Sequence, residues 1–546
     1  MSSSQGSSSS AETRPLRKET PSSYHSVDDI VEDAPLDADA PPPPLNNFSQ
    51  RDIMWILAGL WSAVFLGALG SSISLRRSVV ATLLTPIGSD FNKSNQASYI
   101  GTSYLLSVCC FTPLYGRLSD ILGRKGAMLL ALFLFGSGTI LCGLVPSMET
   151  LILARSLAGM GGGGQVFAIV VTDLIPLQRG LYQGMANILF GLGAGIGGPL
   201  GGWINDVFGW SAPLILFSVV VVGWKVNIKL PFDVQSQPLH EKLRRIDVLG
   251  SLTLVGTVGC LLLGFSLKTT EEIAWSHPLI YGLFVASFLC GLSFVLVEKY
   301  WAPFPVMPLH LMTRRTPLAV SVSNLFASVA AFSMVIKIPI SPGFRLTSAL
   351  LASWSHLLPH SLAIPCGSLA AGWLMRRTGK VYTLTVAAAA SSLFANILVV
   401  FWNDNSSPVH LWLDIVPQGF GMASFITSTL IAMIAGVVKE DMAIATGITY
   451  LFRTTGQVLG VSLSGAILQA VLLQQLRQRI QGHGSAQVGC LTISHSASSI
   501  PHLDPVWRKA AVDSYADALR AVFLFQAAMA FLAFLCCLPI EDRPLP

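Results

Sequence analysis

The run Gly116-Arg117-Leu118-Ser119-Asp120-Ile121-Leu122-Gly123-Arg124-Lys125 decides how this chain is built. It holds two glycines, one acid and three cations in ten residues. Apolar runs flank it, near 96–116 and 127–145, each close to the ~20 residues that span a bilayer as helix. The glycines permit a tight turn and a close approach of the helices they join. Asp120 stands where a carboxylate pairs with arginines or faces a helix N-terminus. Arg124 and Lys125 hold the turn in the cytoplasm, because short basic loops stay on that side. The stretch reads as the turn of a hairpin of two membrane-spanning helices.

Outward from this turn the pattern repeats. Apolar runs of spanning length fall near 53–75, 96–116, 127–145, 150–174, 181–204, 212–231, 246–267, 279–297, 316–340, 350–374, 382–402, 409–435, 443–473 and 519–540, which makes fourteen. Arg76 and Arg77 crowd the end of the first, and Lys337 interrupts the ninth. The composition agrees: 52% of the 546 residues are hydrophobic and 12% charged, about half the charge of a soluble domain. So little polar surface cannot cover so apolar a core in water, whereas a bilayer accepts an apolar exterior. The 48 glycines fit close helix packing through small residues. The net charge of +5 is spread over short gaps, so it does not point to nucleic acid. Of nine cysteines only Cys490 lies in a polar stretch, and no CxxC pair occurs; the others act as small hydrophobes.

Loops after even-numbered helices carry Arg117, Arg124, Lys125, Arg179, Lys242, Arg244, Arg245, Arg314, Arg315, Arg376, Arg377, Lys380 and Lys439; short loops after odd-numbered ones carry little beyond Lys93 and Lys268. The basic side faces the cytoplasm, and an even helix count puts both termini there. Two sequons, at Asn92 and Asn405, fall on the opposite side as candidate glycosylation acceptors. Residues 1–50 are rich in Ser, Pro and Asp, with eight acidic residues against three basic, and read as a disordered cytoplasmic tail. The expected organisation is that tail, an N-terminal six-helix bundle over 51–231, a linker with two extra membrane helices over 232–315, and a C-terminal six-helix bundle over 316–546. The last contains a long, polar, non-cytoplasmic loop at 475–518.

The run from Gly116 to Lys125 closely resembles the signature loop of the major facilitator superfamily. A degenerate echo, Gly372-Trp373-Leu374-Met375-Arg376-Arg377-Thr378-Gly379-Lys380, follows the tenth helix, as a duplicated six-helix half leaves. The fifth helix carries Gly191, Gly193, Gly195, Gly197, Gly198, Pro199, Gly201 and Gly202, a density that soluble helices avoid at ~1 kcal/mol per Gly. It resembles the antiporter signature of the superfamily's exporters, departing in that only Leu200 separates Pro199 from the glycine pair; generic small-residue packing is the other reading. Two extra helices between the halves resemble the fourteen-helix drug:proton antiporter branch. Within it the fungal vacuolar basic amino acid transporters are similar over Thr82 to Ser107, Asp173-Leu174-Ile175-Pro176-Leu177, Pro417-Gln418-Gly419-Phe420-Gly421 and Tyr450-Leu451-Phe452-Arg453-Thr454-Thr455-Gly456-Gln457. The resemblance runs over 50–474 and the last helix. It implies an all-α, major-facilitator-type fold: two six-helix bundles around a central cavity, plus two peripheral helices.

Charges inside spans are expensive and are functional candidates by default. Arg155, in Arg155-Ser156-Leu157-Ala158-Gly159-Met160-Gly161, matches a family arginine linked to proton coupling, with Ala158 where the family usually has a glutamine. The alternative is a structural arginine satisfied by nearby carbonyls. Asp173, Asp414 and Arg453 complete the candidates for protons or substrate; Arg453 suits a substrate carboxylate or a paired acid. His356 and His360 share a helix face, open to titration or plain packing, and too few ligands stand with them for a metal. No cofactor is expected, and Gly161-Gly162-Gly163-Gly164 follows no strand and precedes no phosphate-binding lysine.

The resemblance therefore implies a transporter rather than an enzyme. Its partners are protons, the lipid bilayer and a small-molecule substrate, and it is expected as a monomer. The leading expectation is a proton antiporter that moves amino acids, basic ones above all, from the cytosol into the vacuole. A plasma-membrane exporter of drugs or toxins is the first rival. The second is a transporter-like protein without turnover. It is favoured by the first helix, where Leu75-Arg76-Arg77-Ser78-Val79 replaces the acid-bearing run of relatives. The ninth helix is also unusual, with Lys337, Pro339, Pro342 and Arg345.

Overall fold

A computed structural model describes residues 97–142, 147–162, 247–270, 276–303, 305–337, 358–402, 408–438, 441–479 and 505–542, with a few isolated positions besides. The described residues form helices and their connections, with no strand among them. In chain order the helices are α1 Ala97–Ile121, α2 Gly123–Cys142, α3 Met148–Met160, α4 Val248–Thr270, α5 Pro278–Tyr300, α6 Leu309–Thr313 and α7 Arg315–Lys337. After them come α8 Leu358–Thr378, α9 Val381–Val400, α10 Pro408–Leu413, α11 Val416–Ala435, α12 Met442–Arg479 and α13 Pro505–Cys537. Eight of these helices are long and apolar enough to cross a membrane. The expected spans near 53–75, 181–204 and 212–231, the tail 1–50, and most of 150–174 beyond α3 lie outside the described residues.

The turn between the first two described helices is tighter than a loop. Helix α1 continues through the charged run to Ile121, and α2 restarts at Gly123. Gly123 holds φ 82°, a left-handed conformation that makes the corner in one residue. The echo does the same: α8 runs to Thr378, Gly379 holds φ 68°, and α9 starts at Val381.

Helices α4 and α5 pair closely, with the Ser287 hydroxyl donating to the Thr257 carbonyl at 2.7 Å and Phe265 set edge-on to Phe284. Helix α4 also packs on α1 and α12, in a cluster that joins Cys109, Cys110, Leu254, Val258, Leu262, Leu451 and Val458. Helix α5 keeps Phe288, Leu289, Leu292, Val295 and Leu296 exposed. An exposed apolar face of that extent belongs against lipid.

Beyond the expected spans, α12 runs to Arg479 and α13 begins at Pro505, so both helices reach into the stretch 475–518 that the sequence reads as loop. The reason is an apolar seam: Leu468, Leu472 and Leu476 recur at helical spacing and bury against Ala511, Tyr515, Ala518 and Leu519. Arg479 closes it, donating to Asp517 at 2.5 Å and to the Ser514 hydroxyl at 3.3 Å.

Candidate functional site

Helix α3 is short and firmly started: Ser147 caps it, its hydroxyl accepting from the Thr150 amide. Arg155 lies in its middle, buried to 8% exposure, with its guanidinium 5.6 Å from the centroid of the Tyr104 ring of α1. Small residues let this happen. A Cβ on Gly159 would collide with the Tyr104 carbonyl, and one on Gly161 with the backbone of α2 at Ala131 and Phe135. Ala158 is buried against Gly138, whose own added Cβ would strike the Ala158 backbone. The Tyr115 hydroxyl donates to the Met160 carbonyl at 2.7 Å. Three helix backbones thus meet around one cation.

The C-terminal half repeats the pairing with a different exposure. Arg453 of α12 stacks on Tyr450, one turn earlier, at 4.2 Å from the ring centroid, and remains half-buried. Helix α12 is held by α7, since an added Cβ on Gly456 or Gly460 would collide with the Leu325 or Val329 carbonyl. Gly116 faces the Ala443 carbonyl, which fixes the register of α1 against α12. From that level Tyr104 lies ~18 Å along α1 and Arg453 ~15 Å along α12. Both arginine–tyrosine stacks therefore lie at a similar distance from that contact, about half the ~30 Å thickness of a hydrocarbon core.

The corner occupies the other end of the same two helices. A Cβ on Gly116 would stand 3.0 Å from the Ala443 carbonyl oxygen. Asp120 is one turn further along α1 and is half-buried. Ser119, fully buried, donates to the Gly116 carbonyl at 2.7 Å. Arg117 and Lys125 are half-buried beside it. For Arg124 the backbone alone is described.

Asp414 takes a separate place. It precedes α11 at the end remote from the corner, accepting from the Trp402 indole at 3.0 Å and facing the His410 ring at 3.4 Å. It is a staple between α9, α10 and α11, apart from the two arginines. Asp173, the glycines Gly195, Gly198, Gly201 and Gly202 with Pro199, and the sequons at Asn92 and Asn405 lie outside the described residues.

Two polar groups had no assigned role in the sequence. The Gln418 Oε1 accepts from the Nε2 of the His360 ring at 2.5 Å, joining α8 to α11, and both side chains are buried. Glu298, near the end of α5, is buried to 7% exposure. Its Oε1 accepts from the amides of Val306 and Met307 at 2.9 and 3.1 Å. The sequence hides it: an acid just inside a helix end beside Lys299 and Tyr300 reads as an ordinary solvated terminus.

Residues 60–461 match the family model described as Major Facilitator Superfamily. The chain is 35% identical to the multidrug resistance protein fnx1 of Schizosaccharomyces pombe, covering 89% of this chain and 92% of that protein. It is 32% identical to the vacuolar membrane amino acid uptake transporter fnx2 of the same yeast, covering 92% and 86%. It is also 32% identical to vacuolar basic amino acid transporter 1 of Saccharomyces cerevisiae, covering 75% and 76%. Among solved structures, the human organic anion transporter MFSD10 (TETRAN) superposes with a TM-score of 0.56 at 14% identity, covering 89% of this chain and 99% of that one. That likeness is one of fold.

Proposed function

The chain belongs to the major facilitator superfamily and is a multi-pass membrane transporter, not an enzyme, and from that premise we propose that it is a proton-driven antiporter of amino acids, basic ones above all, from the cytosol into the vacuole. The observation that carries this reading is similarity along most of the chain to two vacuolar amino acid transporters from two yeasts. The intramembrane arginines divide the work. Arg453, half-buried with one face on Tyr450, offers its remaining donors to the α-carboxylate that every amino acid carries; guanidinium and carboxylate pair in a planar fork. Arg155, enclosed by three helices, acts on a proton nearby through its charge. The bundles over 51–231 and 316–546 rock about the site, with both termini in the cytoplasm.

Uptake of labelled lysine or arginine into acidified vacuolar vesicles tests the reading. Uptake should collapse when an uncoupler dissipates the proton gradient; undiminished uptake would remove the antiport mechanism. Arg155→Leu should abolish uptake while the protein still reaches its membrane, and Arg155→Lys, which keeps the charge but loses the planar fork, should retain some. If Arg155→Leu transports like the parent, Arg155 is structural. A second reading, an exporter of drugs or toxins, is favoured by the 35% identity to a multidrug resistance protein. A fluorescent fusion at the cell surface rather than the vacuole rim, with drug sensitivity on deletion, would select it.

A further inference from the structure

Helices α7 and α12 run side by side in the same direction. Gly456 of α12 faces Leu325 and Ser328 of α7, and Gly460, one turn on, faces Val329. The Ser333 hydroxyl donates to the Gly460 carbonyl at 2.9 Å. Other hydroxyls on these helices bond back to their own turn. Ser321 donates to the Pro317 carbonyl at 2.8 Å, Ser323 to that of Val320 at 3.1 Å and Thr454 to that of Tyr450 at 2.9 Å. Ser328 does otherwise: its hydroxyl is fully buried against Gly456 and finds no partner among the described residues. Asn324, one turn earlier on the same face, is equally buried. Its amide nitrogen donates to the Val320 carbonyl at 2.9 Å, while its Oδ1 has no donor among the described residues. Arg453 shares a face with Gly456. Going back ~6 Å along α7 from Ser328 reaches Asn324, and ~4.5 Å along α12 from Gly456 reaches Arg453. Two oxygens without donors and a guanidinium thus address one level of one seam. A buried acceptor without a donor costs free energy that a donating ligand restores.

An amino acid carries the matching pair of groups. Its carboxylate and its α-ammonium hang on one carbon, so a ligand whose carboxylate lies in the Arg453 fork brings N–H donors to the oxygens beside it. We propose that Asn324 Oδ1 and Ser328 Oγ are the α-ammonium half of the substrate site, across the seam from Arg453 as the carboxylate half. This rests on the amino acid reading above and adds the groups that recognise the common end of every amino acid. The seam is closed over both oxygens in this structure, and they meet the ligand when α12 shifts against α7. A compound without an ammonium beside its acid leaves the two oxygens unsatisfied and is rejected for that reason.

The test is competition against uptake of labelled lysine into vesicles that hold the full chain. The competitors are lysine and ε-aminocaproate, which is lysine without its α-ammonium. Against the parent, ε-aminocaproate should compete roughly tenfold or more weakly than lysine, the scale of one hydrogen bond to a charged group. In Asn324→Leu the inhibition constant of lysine should rise toward that of ε-aminocaproate, which itself should move less than about twofold, because the lost oxygen and the lost ammonium are one interaction. A lysine advantage that survives the substitution, or equal weakening of both compounds, overturns the proposal. So does a parent that takes both equally well. Absence of lysine uptake by the parent is a different failure: it removes the amino acid reading, and this proposal with it. Thermal melting without substrate separates a structural role. Asn324→Leu should melt at or above the parent, since the oxygen it removes has no partner, and a fall in melting temperature with selectivity intact assigns Asn324 to folding and overturns the proposal. If Asn324→Leu does not accumulate, Ser328→Ala decides: it should accumulate and reduce the advantage of lysine, and an unchanged advantage overturns the proposal.

Discussion

Gly123 and Gly379 hold φ angles of 82° and 68°, and each turns one membrane helix into the next within a residue or two. Their surroundings differ. Around the first, Gly116, Ser119, Ile121 and Gly123 are buried, and the backbone of α12 at Ala443 and Ile444 presses on Gly116. Around the second, every residue from Arg376 to Lys380 is exposed, and a Cβ on Gly379 would meet nothing within 4 Å. Arg377 there lies over its own neighbour Trp373, 5.3 Å from the ring. One backbone device was duplicated; among the described residues an opposing helix presses on the N-terminal copy, whereas the end of the second copy is exposed, although Gly372, the counterpart of Gly116, is buried too. A corner that bears on a helix from the other half can report or restrain movement between halves; an exposed corner end has less with which to do so.

If that contrast is right, Gly116→Val should have the largest effect. The added branches meet a carbonyl already at 3.0 Å from the first added carbon, and forcing extra methyl groups into packed backbone costs about 1–3 kcal/mol. Charged to one side of a two-state movement, this is a shift of roughly 5–150-fold in population. Transport should fall accordingly at matched protein levels, and further than with Gly372→Val. Equal losses in the two variants would break the comparison.

Asp120→Ala comes next. It removes the half-buried carboxylate of the corner, one turn beyond the contact of Gly116 with α12. Its effect on uptake should exceed that of deleting residues 1–40, which carry no apolar run with which to pack. Reversed effects would relocate the control of movement to the tail.

Much of this was legible in the sequence because a bilayer imposes length. Runs of ~20 apolar residues divided by short basic gaps leave little freedom, and the eight described helices long and apolar enough to span fall on them, although the run 409–435 is broken into α10 and α11. The echo was legible too, since glycine is the residue that accepts positive φ cheaply, and Gly379 supplies it. What the apolar signal could not give was continuation past the membrane. Helix α12 runs on to Arg479 because Leu468, Leu472 and Leu476 find a partner in α13, and a partner some forty residues away in the chain leaves no mark on composition. The candidate site divided similarly. Arg155 and Arg453 announced themselves as charges in apolar runs, whereas Glu298 and Gln418 acquire meaning only from what packs against them.

The smallest effect should come from Gly379→Ala, and it sharpens the contrast best when paired with Gly123→Ala. An L-residue in the left-handed region costs roughly 1–2 kcal/mol, of which about 0.4–1 is returned because alanine restricts the unfolded chain more than glycine does. That backbone account is nearly the same at both positions, because their φ angles are close. At Gly379 nothing else should change: the added methyl enters open space, and transport should match the parent with at most a small fall in melting temperature. At Gly123 the residue is buried, so the same strain is relieved only by moving the start of α2 and, with it, the end of α1 that seats Asp120 and Gly116. The difference between the two variants, in melting temperature and in maximal rate, therefore measures packing at the N-terminal corner with the glycine conformation cancelled. A Gly379→Ala variant that loses as much transport as Gly123→Ala would mean that the exposed corner is also clasped in some state of the cycle, and the asymmetry between the halves would then belong to one conformation alone.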